Sequence, residues 1–266
     1  LYSEAYMPWD WQADLAKEAR ELGIKFFSSV FDFSSIEYLE SIGVEAYKIA
    51  SFELVDIPLI EATAATGKPL ILSTGMATIS EIEEGVDAAR RTGSGDIALL
   101  ACTSSYPAPV SAANLLKIRH LAETFDVVSG LSDHTVNNEV AIAATALGAK
   151  VIEKHFTLRR ADGGVDSAFS LEPEEFKALV DGARIAEEAI GSLAYGPTDA
   201  DASSVAYRRS LFVSRPIAAG QQIRQGDVRS VRPANGLHPR HLPEILGRTA
   251  REDLEPGVPF DWSMVE

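Results

Sequence analysis

At 266 residues the chain is long enough for one large domain or two smaller ones. Acidic residues outnumber basic ones, 39 to 24, and the net charge of −15 works against nucleic acid and anionic membrane as partners, since no basic run is longer than a pair such as Arg208-Arg209. The single cysteine, Cys102, excludes an internal disulfide and favours a reducing, cytoplasmic setting, and no apolar run approaches the roughly 20 residues of a membrane span.

The first stretch, "LYSEAYMPWDW", has neither the basic nor the apolar region of a signal peptide, and it lacks an initiator Met, as expected of a chain that begins within a gene. A helix is predicted near Pro8–Leu22. Six β-type runs follow: 24–31, 46–51, 69–75, 97–105, 127–133 and 151–157. Helical patterns alternate with them at Ser35–Ser41, Pro58–Thr66, Ile79–Thr92, Ala112–Thr124 and Asn138–Gly148. Thr78 can cap the third of these with Glu81 three residues on, and Gly67 and Gly148 sit where helices should stop. Continuous apolar strands alternating with helices predict a parallel sheet covered by helices, and the unit length suits a (β/α) barrel. A closed (β/α)8 barrel needs eight strands. The expectation is therefore an open sheet, or a barrel lacking its first two βα units, over residues 1–191.

Residues 192–207 lose periodicity and read as a linker. From 208 to 266 the pattern changes to short strands, "SLFVSRPI", "VRSVRP" and "GVPF", with Gly/Pro turns. A unit that small is marginal alone and is expected to pack on another surface.

In a barrel, catalytic groups project from the C-terminal strand ends. Here those ends are polar: Ser29, Lys48 with Ser51, Ser73, Ser104 with Tyr106, Ser132 with His134, and Glu153 with His155. Alternation places Ser132 and His134 on one face of their strand, and Glu153 and His155 on one face of theirs. Two imidazoles with oxygen ligands suit Mn²⁺ or Mg²⁺, whereas each histidine alone reads equally as a hydrogen-bonded strand cap. Lys48 is a point charge for phosphate or carboxylate, or a strand-end lysine with its stem along the wall. The serines can donate to an anion or simply form turns, and "STG" (73–75) before a helix resembles an anion site at a helix N-terminus. Cys102 reads as a packed core residue. Asp166, in the loop after the last strand, is either a mouth-covering acid or a solvated turn. Arg232, in "VRPANGLHP", is either a recognition residue or an ordinary surface arginine.

Taken in order, "KIAS", "ILSTGM", "CTSSYP", "GLSDHT", "EKHFT" and "VRPANGLHP" resemble the sialic acid synthase family. The resemblance implies a (β/α)8 barrel followed by a small antifreeze-like (SAF) domain in a domain-swapped homodimer. It implies condensation of phosphoenolpyruvate with an N-acylated amino sugar. "EAYMPWDWQ" and "KIASFELVDIPLI" are most similar to the branch whose sugar is 2,4-diacetamido-2,4,6-trideoxy-L-altrose; neuraminate and legionaminate synthesis are the alternatives. By motif, His134 and His155 correspond to ligands of a divalent metal. Lys48, Ser29, Ser51, Ser73 and Ser132 correspond to the phosphoenolpyruvate cradle, Tyr106 and Asp166 to sugar contacts, and Arg232 to a residue entering the neighbouring subunit's site. Glu153, on the His155 face, is the expected proton shuttle. Two positions depart from the family pattern: Val30 replaces a proline, and Ser104 replaces an asparagine that touches the anion. Two other readings stand beside this one. A metal-dependent hydrolase would want a His-x-His pair on an early strand, which is absent, and a non-catalytic chain would only bind sugar or a partner.

Overall fold

The structure, a computed structural model, describes residues 6–93 and 95–266. The chain forms two compact units, Leu1–Gly191 and Ser192–Glu266. In the first, six parallel strands neighbour one another in chain order: β1 (Ser28–Ser29), β2 (Tyr47–Ile49), β3 (Leu70–Ser73), β4 (Ile97–Cys102), β5 (Val128–Asp133) and β6 (Val151–Lys154). Helix α1 (Trp9–Glu21) precedes them. Helices α2 (Phe33–Ile42), α3 (Ile57–Ala64), α4 (Ile79–Thr92), α5 (Leu116–Phe125) and α6 (Glu139–Ala146) connect them, and α7 (Pro173–Ile190) follows. The strands make a half-barrel: among the described residues β1 and β6 are both edges, and no closed eight-stranded ring forms.

Alternation sorts each strand's side chains between helices and concave face. Tyr47, Ile49, Leu70, Leu72, Leu99 and Leu131 are buried in one core with Leu39, Val86, Ile118 and Val140 from the helices. Each such burial contributes about 1.5–3 kcal/mol, so the register is strongly fixed. The other face carries Lys48, Ser73, Cys102, Ser132 and Glu153. Position 130 on that face requires glycine, because a Cβ there would come within 2.1 Å of the Val151 carbonyl oxygen and 2.7 Å of Leu100 Cδ2.

Helix ends follow the expected chemistry. Thr78 and Glu81 form a reciprocal capping box on α4, and Gly67 and Gly148 follow α3 and α6 at φ of +73° and +102°. Three expected elements differ. The run 24–31 pairs only at Ser28–Ser29, since β1 has a partner on one side. Helix α5 starts at Leu116 because Asn114 takes a left-handed φ of 47° after a 3₁₀ turn at Val110–Ala112. The last run ends at Lys154, leaving His155 just beyond the strand.

The second unit pairs β7 (Ser210–Val213) with β8 (Val228–Val231), antiparallel, around Leu211, Ile217, Ile223, Ile245, Leu254 and Phe260. "GVPF" contributes an isolated bridge, Phe212 to Pro259, rather than a strand. Residues 192–207 contain a 3₁₀ turn at Asp199–Asp201 and one helical turn at Ala202–Val205.

The loop between β6 and α7 is held by Arg160, whose guanidinium grips both oxygens of Glu175 and also donates to the Ser170 carbonyl at 3.1 Å. The Arg160 hydrogen bonds, with the Glu172 amide, pull the Glu175 carboxyl from 4.5 to about 2. A depressed carboxylate stabilises the fold above its unfolded pKa and loses that contribution as pH falls. Glu175→Gln should therefore lower the urea midpoint at neutral pH, and the gap from the unaltered chain should close between pH 4.5 and about 2. A gap constant across that range would show that the ion pair is not its source.

Candidate active site

The concave face ends in a polar cluster built around a buried lysine. Lys48, 6% exposed, donates to Ser73 Oγ at 2.7 Å and lies 3.5 Å from Glu153 Oε2. Its third contact, the Ile49 carbonyl, is at 3.4 Å, so one of the three ammonium donors is only weakly engaged. Glu153 accepts from Ser132 Oγ at 2.7 Å, which joins β2, β3, β5 and β6 through one chain of polar atoms. Ser29 sits in register with Lys48 on the neighbouring strand.

Beside this chain lies a small cradle. The Gly75 amide donates to Ser51 Oγ at 3.1 Å. A Cβ on Gly75 would stand 2.3 Å from Ser104 Oγ and 2.7 Å from Ser51 Oγ, so only glycine lets both hydroxyls close over the backbone. Among the described residues Ser104 Oγ is buried without a hydrogen-bond partner, a cost that a bound acceptor or donor would remove. The expected anion site was at the N-terminus of α4. Glu81 and Thr78 already serve that helix end, and the hydroxyl cradle lies before it.

His134 and His155 come together from adjacent strand ends, with ring centroids 5.3 Å apart and planes at 66°. His134 Nδ1 lies 2.9 Å from the Thr103 carbonyl oxygen, which fixes the Nδ1–H tautomer and leaves Nε2 as acceptor. His155 Nδ1 faces Asp166 Oδ2 at 3.5 Å. Tyr106 packs on His134 at 4.2 Å, and Phe169 on His155 at 4.9 Å. Burial lowers the pKa of His155, against the pull of Asp166. Burial opposes charge on His134 too, but contacts with Cys102 and the Thr103 carbonyl outweigh it and the net shift is upward. Cys102 is buried, as expected, yet it faces the site, with its sulfur 4.0 Å from His134 Nδ1.

Two imidazoles, each steadied through one ring nitrogen, could supply two ligands to a metal ion and would leave its other positions open. Among the described residues no third His, Cys, Asp or Glu joins them, so water or substrate oxygen would complete the coordination. The donor set fits a divalent cation that must also bind a substrate.

Glu53 was not among the expected site residues. Burial raises its pKa, Lys48 draws it down in part, and Oε2 is buried without a partner among the described residues. Its charge also reaches Tyr106, whose hydroxyl is pushed up first by burial and then by nearby acids. The signal was available: an acid two residues after Ser51 in "KIASFE". Phe169 carried no comparable signal. Arg232 lies in the second unit, exposed just after β8.

The NeuB family profile matches residues 1–195. The chain belongs to the NeuB family. A SAF domain matches residues 208–266. Among NeuB relatives, pseudaminic acid synthase of Helicobacter pylori is 41% identical over the whole chain and 78% of its own length. N,N'-diacetyllegionaminic acid synthase of Legionella pneumophila is 37% identical over 95% of the chain and 72% of its length. The crystal structure of N-acetylneuraminic acid synthetase from Leptospira borgpetersenii superposes with a TM-score of 0.71 at 35% identity, covering 75% of this chain and 70% of that one. No helix among the described residues is long and apolar enough to cross a membrane.

Glu153, the acid nearest Lys48, is 40% exposed and stays solvated when the ammonium is removed, so no buried charge is left without a partner. Lys48→Met should fold with a melting temperature unchanged or raised by up to about 4 °C. A clear fall in that temperature would assign Lys48 a structural role instead.

Proposed function

We propose that this protein condenses phosphoenolpyruvate with 2,4-diacetamido-2,4,6-trideoxy-L-altrose to give pseudaminic acid and phosphate. The observation that carries the chemistry is the oriented imidazole pair beside an ammonium with one weakly engaged donor and a ring of hydroxyls. The sugar rests on full-length similarity to a pseudaminic acid synthase.

Lys48, Ser29, Ser51, Ser73, Ser104 and Ser132 hold the phosphate and carboxylate of phosphoenolpyruvate. Fixing both partners can remove up to about 7–11 kcal/mol of an otherwise bimolecular barrier. His134 and His155 would hold a divalent cation, Mn²⁺ or Mg²⁺, which when bound supplies Lewis-acid polarisation of the sugar's aldehyde oxygen. Tyr106 and Asp166, packed against the imidazoles, position the sugar. Carbon 3 of phosphoenolpyruvate bonds to the aldehyde carbon, water adds at carbon 2, and the bond from carbon 2 to the phosphate oxygen breaks. The attacking water gives up both protons, one balancing the proton taken by the new alkoxide and the other leaving with phosphate as carbon 2 becomes a carbonyl. Glu153, bonded to Ser132 and close to Lys48, is assigned the shuttle. Glu53, whose carboxyl keeps its proton to higher pH through burial, supplies a second proton-holding group.

The resemblance also supports a homodimer in which Arg232 reaches the sugar site of a neighbouring copy. A closed eight-stranded barrel would need two more strands between the edges β1 and β6.

Phosphate release from phosphoenolpyruvate with Mn²⁺, measured with the diacetamido sugar and with N-acetylmannosamine, tests the reading. Release with the first alone is expected; release with the second alone would keep the reaction and overturn the sugar. His155→Ala should reduce metal-dependent turnover at least 100-fold, and full activity in that variant would remove the metal role from the pair.

A further inference from the structure

Behind the two histidines lies a buried ion pair that the proposed chemistry does not use. Asp133 and Lys154 immediately precede His134 and His155, and they oppose each other on the last rung of the β5–β6 pairing. Their side chains, 2% and 1% exposed, meet at 2.7 Å. All three ammonium donors are engaged: Asp133 Oδ2, the Thr135 carbonyl at 2.5 Å and the Asn137 carbonyl at 3.1 Å. Asp133 Oδ1 in turn accepts from the Thr135 amide at 2.9 Å.

The histidines stand one residue past this rung, where strand pairing has ended. Each backbone carbonyl there is held sideways by a different loop: His134 accepts from the Ala108 amide and His155 from the Leu171 amide, both at 2.9 Å. Neither bond links one histidine's segment to the other. Lys154 does. From the residue before His155 it grips the residues on both sides of His134, at Asp133 and Thr135.

We propose that the Asp133–Lys154 pair is a positioning device that sets the spacing of the two imidazoles and thereby the metal affinity of the site. It rests on the reading of His134 and His155 as metal ligands. A buried ion pair is a poor device for stability alone, since an apolar pair of similar volume can fill the same space at no greater cost. An apolar pair cannot bind two loop carbonyls and an amide. Groups of this kind behind metal ligands typically change affinity 10–100-fold when removed.

The test is Mn²⁺ binding to the full chain, by the EPR signal of free Mn²⁺, together with melting temperature. Asp133→Asn keeps the shape but turns one of the two acceptor oxygens into an NH2 donor, so it cannot accept from both Lys154 and the Thr135 amide, and it should bind Mn²⁺ about 10-fold more weakly. The double variant Asp133→Leu/Lys154→Met should melt near the unaltered chain yet bind Mn²⁺ about 10–100-fold more weakly. Leu121→Ala, a core truncation on α5, controls for destabilisation and should leave the Mn²⁺ affinity unchanged. Affinity within twofold of the unaltered chain in both Asp133 variants would overturn the proposal, as would an equal loss in Leu121→Ala. If His155→Ala binds Mn²⁺ as well as the unaltered chain does, the metal reading falls and the proposal with it. Loss of binding in His155→Ala but not in the Asp133 variants sinks the positioning role alone.

Discussion

An ammonium ion inside a parallel sheet has to be met by oxygen, and Lys48 sets that requirement for the whole concave face. Its apolar neighbours on β2 are committed to the helices, so relief can come only from strand ends. Ser73 and Glu153 provide it, and Ser132 then fixes Glu153. Three strands beyond β2 are thus tied by polar contacts to one buried charge.

Much of this was legible before any coordinates. Continuous apolar runs alternating with helical patterns pointed to six parallel strands, and polar residues confined to run ends pointed to one rim. The Thr78–Glu81 box was readable because both members lie within one turn. What could not be read was anything set by contact between distant segments. Strand β1 shrank to two residues because pairing depends on a neighbour, not on its own apolar content. The hydroxyl cradle lies off the helix end, which Thr78 and Glu81 already cap. Only the closeness of Gly75 to Ser104, 29 positions apart in the chain, reveals the cradle's actual walls.

The residues at the site also show how far motif and geometry carry separately. Motif placed His134, His155, Lys48 and the serines on one rim without distances. Geometry added the tautomer of His134 through Thr103, the aromatic backing by Tyr106 and Phe169, and Glu53 as a carboxyl with an unmet oxygen. Arg232 is the reverse case. It is supported by motif, and it sits in a separate compact unit whose own core, around Leu211 and Phe260, accounts for its fold without reference to the rim.

The hydrogen-bonded ladder stops at Asp133 and Lys154, one step short of the imidazoles. Stiffness and adaptability are therefore divided along a single peptide unit. Below it, cooperative strand pairing resists opening with the stability of the entire domain. Above it, the two rings are carried by loop segments, so a shift of either ring does not require a strand to unzip, and local rearrangement at the rim is separated from unfolding.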